Sequence, residues 1–137
     1  MRRVIVMLLA TLSGALSAPS WACGVCVEDK IAATYDHAVI TRAGTQHHLV
    51  VFVEMKGAVD MTALAEKVAP AAARVRGIDL GTVRTSASPP AFSFALDPGA
   101  RSPDSAVAEL QRRLRTQGAT LSILRVMSGD APATARN

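Results

Sequence analysis

Nowhere in the chain is there a G-x-x-x-x-G-K-[ST] loop or a G-x-S-x-G elbow, so neither a phosphate-cradling turn nor a strained nucleophile turn is present. Its Ser, His and Asp residues are not grouped in a way that suggests a triad. After the N-terminal segment no apolar run is long enough to span a membrane. No internal repeat is visible, nor any linker that would divide the chain into two domains. Charge of one sign is also scarce. The 137 residues carry 15 Lys and Arg against 11 Asp and Glu, and Arg2 and Arg3 belong to a leader, so the remainder is close to balance and does not call for a nucleic-acid partner. Cysteine is the most informative scarcity, because the only two stand together as Cys23-Gly24-Val25-Cys26.

That C-x-x-C lies where a secretion signal ends and a helix begins. Arg2 and Arg3 form a charged start, Val4 to Leu16 an apolar core, and Ser20-Trp21-Ala22 a small-x-small cleavage site. Pro19 makes cleavage after Ala18 unfavourable. Residues 1–22 are therefore expected to be removed, leaving Cys23 at the mature N-terminus and about 115 residues, enough for one domain with a modest core. Ser20, standing where lipoproteins carry Leu, argues against a lipid on Cys23. Export implies a periplasmic or secreted protein, with no membrane association after signal removal. In that oxidising compartment a disulfide is the default state unless a metal or a reductase intervenes. Two thiols in the first turn of a helix can turn toward one point. There they can ligate a soft metal, close a small disulfide or exchange electrons with another dithiol, and the helix dipole favours the negative charge that each outcome needs.

The mature chain reads in order. Val27 to about Ile40 has helical periodicity, with Val27, Ile31, Tyr35 and Ala38 on one face. A polar connection follows, then a strand over His48 to Met55. Asp60 caps a helix carrying Leu64, Val68, Ala72 and Val75 inward, which Pro70 should kink or split. Ile78 to Ser86 and Ala91 to Leu96 read as a hairpin with one buried face, joined by Ser88-Pro89-Pro90. Ser102-Pro103-Asp104 opens a helix striped by Val107, Leu110 and Leu114, which Gly118 ends. Arg112, Arg113 and Arg115 near its end read as a solvated, dipole-compensating face. Ala119 to Met127 is the last strand, and 128–137 reads as a disordered tail. The expected organisation is a signal at 1–22, a C-x-x-C helix and connection at 23–46, and a domain at 47–127. The fold class is α+β: βαββαβ in ferredoxin-like order, four antiparallel strands with two helices on one face and an extra N-terminal helix.

Over about 80 residues the chain resembles the heavy-metal-associated domain of copper chaperones and metal-pumping ATPases. The likeness rests on Arg76-Gly77-Ile78, Leu96-Asp97-Pro98, Ser102-Pro103-Asp104 and Gln117-Gly118-Ala119. It implies a copper-binding function. The family's Met-x-Cys-x-x-Cys loop is missing, and Met55-Lys56-Gly57-Ala58-Val59-Asp60-Met61 stands in its place. A helix of about 14 residues is roughly 21 Å long, and a strand of eight or nine covers a comparable distance. If the two run antiparallel, Cys23 and Cys26 arrive near Met55 and Met61. His37 lies too far along a straight helix to share an ion with Cys26. His37, His47 and His48 would make a separate histidine site if they converged, and otherwise are polar residues at element ends.

The expected function is thus a non-enzymatic periplasmic or secreted binder, chaperone or buffer of a soft metal such as Cu(I), held by Cys23 and Cys26 with Met55 or Met61 as thioether. Its partners would be the ion and a metal-transport or redox protein. Two alternatives stay open. Trp21-Ala22-Cys23-Gly24-Val25-Cys26 resembles a thioredoxin active site, although signal peptide occupies the place of the preceding strand and Pro89-Pro90 is the only candidate for the cis proline. The pair could instead form a structural disulfide on a protein-interaction domain, though so short a loop gains little from closure. Haem attachment would need His where Val27 stands. The lone Asn137 leaves no asparagine for an acylphosphatase-type site.

Overall fold

A computed structural model describes residues 26–128, the Thr116 side chain excepted. The expected signal peptide, Cys23 and everything after Ser128 lie outside the described residues. The fold is α+β. Four strands, β1 (Leu49–Lys56), β2 (Ile78–Ala87), β3 (Pro90–Leu96) and β4 (Thr120–Ser128), form one sheet in the order β2-β3-β1-β4, and every neighbouring pair is antiparallel. The helices are α1 (Val27–Thr34), α2 (His37–Thr45), α3 (Met61–Ala72) and α4 (Pro103–Leu114), the last continued by a short 3₁₀ turn, Arg115–Gln117. This arrangement is compatible with the expected ferredoxin-like one. Ser128 belongs to β4 and not to a tail.

The two central strands, β1 and β3, are buried on both faces. Strand side chains alternate between faces, so each face of these strands needs its own apolar cover. On one face Val51, Val53 and Met55 of β1, with Phe92, Phe94 and Leu96 of β3, meet Leu64 and Val68 of α3 and Val107 and Leu110 of α4. The Phe92 and Phe94 rings lie 6.1 Å apart between centroids, within the range of favourable aromatic pairs. On the other face Val50, Phe52 and Ala95 meet Ile31 of α1 and Val39, Ile40 and Ala43 of α2. Of the expected half-buried hairpin, β3 is therefore covered on both faces, while β2 forms an edge of the sheet and stays largely half-buried. Ser93, on the face of β3 opposite Phe92 and Phe94, is buried as well and donates its hydroxyl to the Thr34 carbonyl at 2.8 Å.

Local signals set most boundaries. Asp60 caps α3, its Oδ1 accepting from Thr62 N–H at 2.9 Å. Ser102 caps α4 by accepting from Ser105 N–H at 3.3 Å, and Pro103 occupies the first helical position, where its missing N–H costs nothing. Gly118 closes the following turn at φ 69°, a left-handed conformation that suits glycine. Pro70 neither splits nor ends α3 at its own position. It sits in the last turn, and the helix runs on to Ala72.

The N-terminal region departs from expectation. One helix over 27–40 was anticipated, and two are found, broken at Tyr35-Asp36. Asp36 is extended, at φ −135°, and its Oδ1 accepts from the N–H of Ala38 at 2.9 Å, which starts a new helix. Its other oxygen holds Arg84 of β2 at 2.8 Å. The guanidinium, and behind it the Val39 and Ala38 N–H groups, keep the Asp36 carboxyl below its usual range despite partial desolvation. Six residues later Arg42 pairs with Asp79 at 2.8 Å, so α2 is fastened twice to β2. Both partners flank a bulge. Between the Asp79–Ala95 and Arg84–Ser93 pairs, β2 advances five residues while β3 advances two. Thr82 folds inward there and accepts from Ala95 N–H at 2.8 Å.

A second bulge lies in β4. Phe52 pairs with Arg125 and Val53 with Ile123, so Leu124 is an added residue. Leu124 and Arg125 consequently both serve the face that carries α1 and α2: Leu124 packs into that core, and Arg125 reaches Glu28 of α1 at 2.6 Å.

Because Ile31 is 5 % exposed within the second core, Ile31→Ala should cost about 2–5 kcal/mol. Urea unfolding is expected to show a lower midpoint with an unchanged slope. A near-neutral result would mean that α1 is not part of the cooperative unit.

Candidate functional site

Cys26 is the residue immediately before α1 and is exposed. Its carbonyl accepts from the N–H of Asp29 at 3.0 Å and of Lys30 at 3.3 Å, the first bonds of the helix. In return the Asp29 carboxylate accepts from Cys26 N–H at 3.2 Å, which fixes the backbone that carries the thiol. Glu28 and Asp29 add two negative charges to this turn, favourable toward the helix N-terminus.

Behind the thiol, α1 is tied to the sheet by charge. Lys30, one turn on from Cys26, pairs with Glu54 of β1. Lys56 reaches the other carboxylate oxygen at 3.0 Å. Glu54 is only 6 % exposed. Burial alone would raise its carboxyl, but Lys30 and then Lys56 outweigh that and hold it below the ordinary glutamate value. Glu28 and Arg125 fasten the same helix to β4. Sequence reasoning had not singled out Lys30, Glu54 or Lys56. The available signal was a carboxylate interrupting the otherwise apolar run from Val50 to Met55.

The arm runs in the expected direction. Lys30 lies at the end of β1 marked by Glu54 and Lys56, whereas Arg42 meets Asp79, whose partner Ala95 pairs with Val50 near the other end. The two methionines are placed differently. Met55 shares the face of Val51 and Val53, is 1 % exposed, and packs in the core under α3 and α4. It therefore lies on the face of the sheet opposite α1. Met61, in the first turn of α3, is half-buried and lines an open groove with Lys30, Glu54, Lys56, Gly57 and Pro90, to which the edge of Met55 also contributes. Gly57 in that loop has φ 147°, and a Cβ there would lie 2.4 Å from the Gly118 carbonyl oxygen, so the loop is seated on the start of β4.

The histidines do not form one cluster with the acids or the thiol. Among the described residues no group of three or more His, Cys, Asp or Glu is placed to hold a metal. His37 is exposed at the start of α2, and His47 is exposed in a left-handed turn at φ 56°. His48 is half-buried, its Nδ1 without a hydrogen-bond partner among the described residues. Cys23, the other half of the motif, lies outside them. No described helix is long and apolar enough to cross a membrane.

Glu54 gives a pH signature. Its pKa is lowered in the folded state, so the stabilisation is complete above the unfolded glutamate value of about 4.3 and is lost as pH falls through the lower folded value. Acid titration of stability should therefore show a loss below about pH 4 that is smaller in Glu54→Gln. Glu54→Gln should also be less stable at pH 7, because Lys30 is left without its counter-charge. Superimposable acid profiles for the two proteins would exclude this carboxylate as the source.

Comparison of the chain with protein-family models, with curated proteins and with solved structures finds no match in any of the three.

Proposed function

We propose that this chain is a non-enzymatic, exported binder of a soft metal ion, Cu(I) by preference, on a ferredoxin-like scaffold. Cys23 and Cys26 supply two thiolates. One observation supports this reading most: the second cysteine of the only C-x-x-C is exposed at the start of a helix held rigidly on the sheet by Lys30–Glu54 and Glu28–Arg125. A thiol so placed is open to an ion while its backbone is pre-organised, which lowers the ordering cost of binding. Two thiolates suit the low coordination number and softness of Cu(I), whereas structural zinc asks for four ligands.

Met61 is the thioether that fits this site. Both methionines line the groove that includes Lys30, one turn from Cys26, but Met61 is half-buried whereas Met55, 1 % exposed, is held in the core. His37, His47 and His48 are left out of the ligand set. The ion is cargo, received from or passed to a transport or redox partner, and the protein acts in the periplasm or outside the cell.

Competition titration of the reduced protein with Cu(I) against a chelator of known affinity tests the proposal. Tight one-to-one binding is expected, abolished in Cys23→Ser/Cys26→Ser and unchanged in Met55→Leu. Met61→Leu should weaken it by about tenfold or less, as one added soft ligand would give. Failure of the reduced wild-type protein to bind would overturn the proposal and leave a disulfide or dithiol exchange as the role of the motif.

A further inference from the structure

The helix layer far from α1 carries a second feature that the metal reading does not use. Across the groove between α3 and the end of α4, Lys67 and Arg74 face Arg113 and Gln117, over a floor of Pro70, Ala71 and Leu114. Lys67 stands on α3, and Arg74 follows in the turn beyond the end of the helix, on the same side of the groove. Arg113 and Gln117 stand on the facing ridge. Three cations thus converge on one open cavity of about 350 Å³.

Their own counter-charges are few. Among the described residues Glu109 is the one carboxylate that Arg113 engages, at 2.6 Å, and Arg112 shares it. Arg112, and to a smaller extent Arg113, hold Glu109 below its usual range despite partial desolvation. Lys67 donates to a neutral acceptor, Gln117 Oε1, at 3.0 Å. Arg74 forms no ion pair with any described residue. Compensation of helix dipoles accounts for cations near the ends of α3 and α4, but it does not require that they face one another across a cavity. Like charges brought together in this way are unfavourable until an anion enters between them.

We propose that this groove is an anion site for a phosphate-type oxyanion, held between the Arg74 and Arg113 guanidiniums with Lys67 as the third cation. Planar guanidinium forks match the oxygen spacing of a phosphate and bind it in a bidentate manner, while a lysine adds a point charge. The apolar floor gives the ester side of such a group a surface to rest on. The chemistry is common to a soluble phosphate compound and to a lipid headgroup, and the site takes whichever of these reaches it.

Titration with inorganic phosphate at constant ionic strength, followed by backbone amide NMR, is the test. Saturable shifts are expected, confined to Ala71, Arg74, Arg113 and Gln117 and their neighbours. Arg74→Gln and Lys67→Gln should each weaken binding about tenfold, the loss of one charge-assisted contact, with circular dichroism unchanged. Arg101→Gln, outside the groove, should have no effect. Co-sedimentation with phosphatidylcholine vesicles, with and without phosphatidylglycerol, then separates the two sources. Retention on the anionic vesicles that Arg74→Gln abolishes assigns a headgroup, and saturable phosphate binding without retention assigns a soluble ligand. Shifts that grow linearly and spread over every cationic surface, or that persist unchanged in Arg74→Gln, would overturn the proposal.

Discussion

A carboxylate inside a sheet is tolerable only when its charge is met, and Glu54 makes that demand near the end of the central strand β1. Leaving it unpaired would cost several kcal/mol, far more than one exposed ion pair contributes. Lys30 meets the demand from α1 and Lys56 from β1 itself. An apolar helix face can slide on an apolar sheet at little cost, whereas a buried charge pair has one register. The position of Cys26 follows from that register, since it stands one turn before Lys30. What a buried ion pair forfeits in net stability is offset here by a defined place for the thiol.

The second core has the complementary task. Phe52, Val50 and Ala95 would expose an apolar face if α1 and α2 were absent, so the N-terminal arm is a structural layer and not an appendage. Its two helices are fastened to different strands, α1 to β1 and β4, α2 to β2, and the break at Asp36 lets them do so. The exposed thiol of Cys26 thus stands at the start of this second layer, on the face of the sheet opposite α3 and α4.

What could be read in the sequence was what local chemistry decides. Asp60, Ser102-Pro103 and Gly118 announced both helices of the far layer, and the alternation of Phe92, Phe94 and Leu96 announced β3. The break at Asp36 was not legible, because its carboxylate is held by Arg84, 48 residues away, and nothing near Tyr35 interrupts the apolar period. Tyr35, expected to point inward, is 47 % exposed as a result. Burial of Ser93 escaped notice for the same reason: only the arrival of α1 covers it. The placement of Met55 was available from parity alone, since it follows Val51 and Val53 by even steps and must share their face. Of the candidate site, the exposed start of a helix at Cys26 was legible, and the charges that seat that helix were not.

The added residue in β4 has a consequence for how this strand can vary. Ahead of Leu124 the outward and inward positions follow one parity, and beyond it they follow the other. Leu121 and Ile123 belong to the layer of α3 and α4, and Leu124 and Met127 to that of α1 and α2. The strand therefore works like a message with a frameshift at its midpoint, meaningful to both layers only because one letter is counted twice. Substitutions along β4 change single contacts, and loss of Leu124 would forfeit its contact yet leave every other side chain on its own layer, whereas pairing without the bulge and with every residue kept would present all side chains on one side of it to the wrong layer.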